Sequence, residues 1–121
     1  MSYLWVAIGG AVGSVARHAM GVWSVSVFGP AFPWGTLMVN VLGSFVIGVV
    51  ASTTTLNDDL KLFLAVGLCG GFTTFSSLSL QTLNLIQAGA WGAAALNVGG
   101  SVILCLIAVG LGVLAGGLIA R

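Results

Sequence analysis

The feature that most constrains the fold of this chain is the near absence of charge along apolar runs as long as a membrane is thick. Its 121 residues include three lysines or arginines, two acidic residues and one histidine, and 59% are hydrophobic. A soluble domain of this size has too small an interior to bury that much apolar surface. The composition therefore predicts a protein in a lipid bilayer, and the formal charge of +1 gives no basic surface for nucleic acid.

Four apolar segments divide the chain at its turn-forming and polar residues. Each is long enough for the roughly 20 residues that a helical membrane crossing needs. We predict an all-α membrane protein with four transmembrane helices, one domain over residues 1–121, with spans at about 4–28, 34–51, 60–86 and 91–118. The N-terminus lacks the positive region of a cleaved signal peptide, so we expect the first span to be retained.

Polar residues and aromatic residues mark the expected ends of the spans. Asn57, Asp58 and Asp59 precede an apolar run and predict a helix N-cap whose carboxylates complement the helix dipole. Tryptophan prefers the interface between lipid and water. The aromatic residues indicate two such interfaces, with Trp23, Trp34 and Trp91 on one face of the membrane and Tyr3 and Trp5 on the other.

Small residues indicate close helix packing. The 19 glycines include three pairs spaced four apart, which favour helix–helix contacts and packing within an oligomer: Gly9/Gly13, Gly67/Gly71 and Gly112/Gly116. Cys69 and Cys105 have no companion Cys or His at metal-ligand spacing, so we interpret them as two buried thiols. The lack of a disulfide framework suits a multi-pass protein of the cell inner (plasma) membrane.

The few charged residues specify orientation only weakly. With four spans, Lys61 and Arg121 lie on one side of the membrane and Arg17 lies toward the other. A chain with so small a bias is able to insert both ways, which leads us to expect an antiparallel, dual-topology homodimer. Arg17 also lies inside an apolar segment, where a cation costs roughly 2.5–3.5 kcal/mol on insertion scales and marks a candidate functional site.

The third predicted span contains the most specialised stretch, residues 67–77. Three glycines within five residues, followed by two β-branched threonines, make a poor continuous helix. We predict a broken helix around Gly70–Thr73, whose freed carbonyls suit a cation and whose half-helix N-terminus suits an anion. The alternative is an unbroken, glycine-kinked helix packed against a neighbour.

Residues after the predicted break indicate an ion path. Phe75 and Leu78 lie on one strip of the helix, beside a polar strip with Ser77 and Gln81 that lipid would penalise. A phenylalanine ring has an electropositive edge that suits a bare anion. Asn40 is a lone amide in the second span, and is either an interhelical hydrogen-bonding group or a donor to an anion.

Three strings of residues together resemble the Fluc (CrcB) family of fluoride ion channels. The match covers most of the chain, and its second and third strings are long and specific. The strings are Gly9-x-x-x-Gly13-x-x-x-Arg17, Pro33-Trp34-Gly35-Thr36-Leu37-x-Val39-Asn40-x-x-Gly43-Ser44-Phe45, and Gly67-x-Cys69-Gly70-Gly71-Phe72-Thr73-Thr74-Phe75-Ser76.

The resemblance implies passive, fluoride-selective export through an antiparallel homodimer with two pores. It also implies one cofactor, a structural sodium ion at the dimer centre, held by the backbone carbonyls of Gly70 and Thr73. Together with the strips described above, the candidate site comprises a vestibule residue, Arg17, and an anion pathway of Asn40, Phe75, Ser77, Leu78, Gln81 and Ser101.

Three departures from the family pattern fall on this pathway. Leu78 stands where a second Phe is usual, Gln81 stands where Glu is frequent, and Asn97-x-x-x-Ser101 replaces Tyr-x-x-x-Ser. Leucine lacks the electropositive ring edge, whereas the amide and hydroxyl donors remain. We therefore predict reduced or altered conduction with selectivity retained.

Two other functions suit a four-span chain of this size. A small multidrug or cation exchanger needs an intramembrane carboxylate, but the only acids, Asp58 and Asp59, lie in the predicted loop. A non-conducting assembly subunit would use the third-span break and Gln81 for packing alone. No nucleotide motif or catalytic triad occurs in the sequence, so we do not expect an enzyme.

Overall fold

The chain is built of helices in the computed structural model, which describes residues 1–119. The elements in order are α1 (Ser2–Phe28), α2 (Trp34–Ser52), α3 (Asp58–Lys61), a π-helical segment (Leu62–Cys69), α4 (Gly70–Phe72), α5 (Phe75–Gln87) and α6 (Trp91–Ile119). No strand occurs within the described range, which confirms the all-α prediction. Arg121, used above to assess orientation, lies outside the described residues.

Three stretches within residues 1–119 are long and apolar enough to cross a membrane. They are Trp34–Ser52, Asp58–Gln87 and Trp91–Ile119, with mean hydropathies of 1.8, 1.5 and 2.8. They match the second, third and fourth predicted spans, and the protein is therefore a multi-pass membrane protein. We refer to Asp58–Gln87, which comprises α3 to α5, as the third span.

The first predicted span, α1, is long but less apolar than the others. Its 27 residues form a helix roughly 40 Å long, enough to cross a bilayer. It is absent from the three stretches above because Arg17, His18 and several serines lower its hydropathy. The crossing of the membrane by α1 stays a prediction.

The helices are joined by short connections with local hydrogen bonds. Gly29 follows α1 and Gly89 follows α5, and their φ angles of 82° and 79° suit glycine because it has no Cβ. Before α3, Asn57 Oδ1 accepts a hydrogen bond of 2.8 Å from Leu60 N–H, with two aspartates in the first helical turn. The predicted N-cap is confirmed.

Glycines allow α1 to pack closely along the third span. A Cβ at Gly9 would overlap the carbonyl oxygen of Phe63, and a Cβ at Gly13 would overlap that of Leu68. A Cβ at Gly71 would in turn meet backbone atoms of α1. Residues later in α1 contact residues later in the third span, so α1 and the third span run parallel.

A second glycine contact joins α6 to α2. A Cβ at Gly112 would overlap the carbonyl oxygen of Phe45, and a Cβ at Gly116 would overlap Ser52 Oγ, so these two helices also run parallel. The three predicted glycine pairs are therefore confirmed as helix–helix contacts. All of these contacts lie within one chain, so the pairs carry no argument for an oligomer.

The interior of the bundle is small and mixed in polarity. Its buried apolar side chains are mostly short: Val39, Val50, Cys69, Leu78, Ala94 and Ala108. Many larger apolar side chains are exposed on the outside, where lipid is the solvent. Asn40, Asn97 and Ser101 are buried with the core, so polar groups lie inside and apolar groups outside.

Candidate functional site

The helical backbone of the third span is interrupted at two threonines. Thr73 and Thr74 are extended, with φ and ψ of −87° and 157° and of −153° and 124°. Gly70 keeps helical angles of −61° and −39°. Extended main chain thus occurs at Thr73, inside the predicted range Gly70–Thr73, and at Thr74 beyond it, whereas Gly70 itself is helical. Glycine tolerates the helical conformation here, whereas β-branched threonines favour the extended one.

Asn40 in α2 holds the extended residues in place. Thr74 N–H donates to Asn40 Oδ1 over 2.8 Å, and Asn40 Nδ2 donates to the Thr74 carbonyl oxygen over 3.1 Å. We call this pair of bonds the Asn40 clamp. In a continuous α-helix the same N–H would donate to the Gly70 carbonyl, so the clamp removes the usual partner of that oxygen. The interhelical hydrogen bond expected as one alternative is present, and it leaves one Nδ2 hydrogen for another acceptor.

Threonine side chains cap both helices at the interruption. Thr73 N–H and Oγ1 both donate to the Cys69 carbonyl oxygen, over 2.9 and 2.8 Å. Thr74 Oγ1 accepts a hydrogen bond of 3.2 Å from Ser77 N–H and so begins α5. In α2, a Cβ at Gly43 would overlap the Thr73 methyl group, so only glycine allows this approach. Two residues thus end one helix and begin the next.

A cavity of about 800 Å³ lies between α1, α2 and α5. We call it the Arg17 cavity, and its polar lining includes Ser14, Arg17, His18, Thr74, Ser77 and Gln81. It brings together three predicted site residues: Arg17, Ser77 and Gln81. Arg17 Nε and Gln81 Oε1 are buried without a hydrogen-bond partner. Neither of the two acidic residues of the chain lines the cavity, so the positive charge of Arg17 is not offset there.

A second cavity, of about 370 Å³, lies between α2, the third span and α6. We call it the Asn40 cavity, and it is lined by the other predicted residues: Asn40, Gly70, Thr73, Phe75, Leu78 and Ser101. Cys69 and Cys105, both free thiols, line it as well, a position that their sequence context did not indicate. Thr74 lines both cavities, so the two cavities adjoin at the Asn40 clamp.

The two predicted pathway residues on the apolar strip of α5 differ in burial. Leu78 is 6% exposed and forms part of the packed wall of the Asn40 cavity. Phe75 borders the same cavity, but 78% of it is exposed on the single chain. The cavity therefore opens toward an uncovered aromatic side chain at the start of α5.

Buried polar groups continue from α5 to α6. Asn97 is 0% exposed, and its Nδ2 donates over 3.0 Å to Thr82 Oγ1, which itself donates over 2.7 Å to the Leu78 carbonyl oxygen. Asn97 Oδ1 and, one turn later, Ser101 Oγ are buried without a partner. Buried polar atoms without partners are rare in proteins. Ser101 lines the Asn40 cavity, and Arg17 and Gln81, which also have such atoms, line the Arg17 cavity.

The fold and the site define a small multi-pass membrane protein with two adjoining cavities between its helices. The chain belongs to the CrcB family: the family model described as "CrcB-like protein, Camphor Resistance (CrcB)" matches residues 4–113. This confirms the resemblance found in the sequence.

Several relatives match nearly the whole chain. A protein from Opitutus terrae is 52% identical over 116 residues, which cover 91% of this chain and 88% of the relative. A protein from Thermus thermophilus is 50% identical over 118 residues, covering 95% and 93%. One from Magnetococcus marinus is 48% identical over 123 residues, covering 98% and 100%. Each bears the name fluoride-specific ion channel FluC, the name of a channel and not of an enzyme.

Proposed function

We propose that the protein is a fluoride-selective passive channel that releases fluoride from the cell down its gradient. The observation that carries the proposal is the pair of cavities that adjoin at the Asn40 clamp, one with the charged Arg17 in its lining and one largely apolar with Asn40 and Ser101 in its lining. The relatives named as fluoride channels support the choice of ion. Because neither acidic residue lines either cavity, a small multidrug or cation exchanger lacks the carboxylate it would need.

Hydrogen-bond donors along the cavities would replace the water that fluoride loses. Arg17 supplies positive charge, and the Ser77 hydroxyl lies in the same cavity. In the next cavity, the Ser101 hydroxyl and the remaining Nδ2 hydrogen of Asn40 face the ion. A series of such sites binds fluoride well enough to admit it and weakly enough to release it.

Apolar side chains complete the proposed path beside these donors. Phe75 offers an electropositive ring edge that stabilises an anion without trapping it. Leu78 supplies apolar bulk without such an edge. We therefore propose that conduction is reduced or altered relative to a channel with two rings, while selectivity, which depends on the donors, is retained.

A structural sodium ion fits the carbonyl oxygens of Gly70 and Thr73. The Gly70 oxygen loses its usual donor because Thr74 N–H bonds to Asn40, and the Thr73 oxygen loses its own because Ser77 N–H bonds to Thr74 Oγ1. Both residues line the Asn40 cavity. Neutral carbonyl oxygens suit an alkali cation, and the bound ion would raise the local electrostatic potential.

An antiparallel, dual-topology homodimer with two pores and a central sodium ion completes the proposal. At the interruption, Gly70 is exposed, with no atom within 4 Å of an added Cβ, and Phe75 is 78% exposed. A second copy would cover these residues and supply a second set of carbonyls. With α1 as the fourth crossing, residues 1–121 form one domain in the inner (plasma) membrane.

The proposal is tested with the purified protein in liposomes loaded with fluoride and chloride. A fluoride electrode and a chloride electrode record release from the same vesicles after an ionophore dissipates the membrane potential. We expect rapid fluoride release and retained chloride. Vesicles that retain both ions would identify a non-conducting assembly subunit, and equal release of chloride would refute the selectivity.

A further inference from the structure

Cys69 and Cys105 place two thiols on different walls of the Asn40 cavity. Cys69 is the last residue of the π-helical segment, and Cys105 lies in α6. Both are free, and Cys69 is only 4% exposed. Neither thiol takes part in the Asn40 clamp or in the proposed ion path. The fold thus brings to one small cavity two sulfur atoms that are far apart in the sequence.

The local structure holds both thiols at this cavity. Thr73 N–H and Oγ1 both donate to the Cys69 carbonyl oxygen, over 2.9 and 2.8 Å, and so fix the backbone that carries the first thiol. Cys105 lies four residues after Ser101 in α6, so the two side chains share one helix face. The Ser101 side chain is 3% exposed, and its Oγ has no hydrogen-bond partner. The second thiol therefore has a buried hydroxyl oxygen on its own helix face.

The chemistry of the lining selects the class of ligand. Neither acidic residue lines the cavity, so Mg²⁺ and Ca²⁺ lack the carboxylates that they prefer. Structural Zn²⁺ sites use four ligands, and no group of three or more His, Cys, Asp or Glu occurs within residues 1–119. Sulfur is a soft ligand that favours Cu⁺, and the equally soft Ag⁺ behaves alike; both ions are satisfied by two sulfur ligands. The lining therefore fits a soft monovalent cation.

We propose that Cys69 and Cys105 form a binding site for a soft monovalent metal ion, Cu⁺ or Ag⁺, which bridges the two sulfur atoms. One thiol loses its proton to water, and the resulting thiolate and the neutral second thiol each donate an electron pair to the ion. Because one proton leaves as one cation enters, the cavity gains no net charge. The site is thus compatible with a sodium ion on the carbonyl oxygens of Gly70 and Thr73, which line the same cavity.

Occupation of the two-thiol site would obstruct the path of fluoride. Asn40 and Ser101, the proposed donors to the ion, line the cavity that holds the two sulfur atoms. We expect a bound soft metal ion to block the channel from within this cavity. The block rests on the proposed function, whereas the metal site itself does not.

Silver binding tests the site without measuring ion flow. The purified protein in detergent is titrated with silver nitrate in chloride-free buffer, and bound silver per chain is counted after gel filtration. We expect one Ag⁺ per chain, held against thiosulfate as a competing ligand. Cys69→Ser and Cys105→Ser should each lower the affinity at least about tenfold, since loss of even an outer-shell partner costs 10–100-fold. Ser44→Ala is the matched control, because Ser44 lines the same cavity without a sulfur atom, and it should bind silver as the wild type does.

Fluoride efflux from liposomes tests the block. Silver fluoride and silver nitrate are soluble, so Ag⁺ is added to vesicles that contain fluoride and nitrate. We expect Ag⁺ to abolish fluoride release from the wild type and thiosulfate to restore it. The double variant Cys69→Ser/Cys105→Ser should be insensitive to Ag⁺ at the same concentration.

Each result decides one part of the inference. Two Ag⁺ per wild-type chain and one in each single variant would show two separate thiols and overturn the shared site. Because Cys105 is only half-buried, Cys105→Ser keeps this test open if Cys69→Ser fails to fold. Unchanged efflux in a silver-loaded wild type would overturn the block. If the wild type carries no fluoride before silver is added, the proposed function fails, while the silver count still decides the metal site.

Discussion

The substitution Asn40→Leu tests the Asn40 clamp most directly. It removes bonds of 2.8 and 3.1 Å and leaves the Thr74 N–H and carbonyl without their partner. Because Asn40 is only 9% exposed, water reaches these groups poorly. Each unsatisfied group costs about 1–3 kcal/mol, so we expect the local opening of the interruption to become easier by at least about 2 kcal/mol.

Hydrogen exchange in detergent micelles, read by mass spectrometry, measures this change at the Thr74 amide. A loss of about 2 kcal/mol corresponds to roughly 30-fold faster exchange. Asn40→Asp keeps an acceptor for the Thr74 N–H but not the donor to its carbonyl, so we expect exchange between that of the wild type and that of Asn40→Leu. Fluoride efflux should fall in both variants, since the clamp lies where the two cavities adjoin.

Ser44→Ala is the control for this experiment. Ser44 lies one turn further along α2, lines the same cavity, and takes no part in the clamp. Its substitution should leave exchange at Thr74 unchanged. Exchange in Asn40→Leu that is no faster than in this control would refute the reasoning.

Three further substitutions or conditions have expected outcomes. Gly112→Ala should destabilise the protein by at least about 1 kcal/mol in equilibrium unfolding, because its Cβ would overlap the Phe45 carbonyl oxygen. Gly110→Ala on the same helix is the control. Its Cβ meets no atom within 4 Å, so this substitution should be neutral or slightly stabilising. Leu78→Phe should change the rate of fluoride efflux while chloride stays excluded, and an unchanged rate would remove the basis for assigning altered conduction to this position. Replacement of sodium by a bulky organic cation should slow fluoride efflux and lower the fraction of dimer detected by chemical crosslinking. If neither the efflux rate nor the dimer fraction depends on sodium, the proposed structural sodium ion is contradicted.

Features that depend on a few neighbouring residues were predictable from the sequence. Hydropathy located Trp34–Ser52, Asp58–Gln87 and Trp91–Ile119 to within a few residues, because lipid selects apolar side chains over the length of one crossing. Asn57 capped the next helix as its pattern indicated, since an N-cap acts over a single turn. The glycine pairs predicted which helix faces make close contacts, because a four-residue spacing places both glycines on one face. The spacing did not identify the helices that they contact.

Features that depend on distances between helices became visible only in the folded chain. Asn40 and Thr74 are 34 residues apart, and their pairing holds the extended main chain at Thr73 and Thr74. The hydrogen bond between Asn97 and Thr82 joins residues 15 apart in the sequence and was likewise not predictable from the sequence. A lone amide in an apolar helix indicates that it has a hydrogen-bond partner, but the identity of that partner depends on how the helices pack. The same packing sorted the predicted site residues into two adjoining cavities and left Arg17 and Gln81 unpaired within one of them.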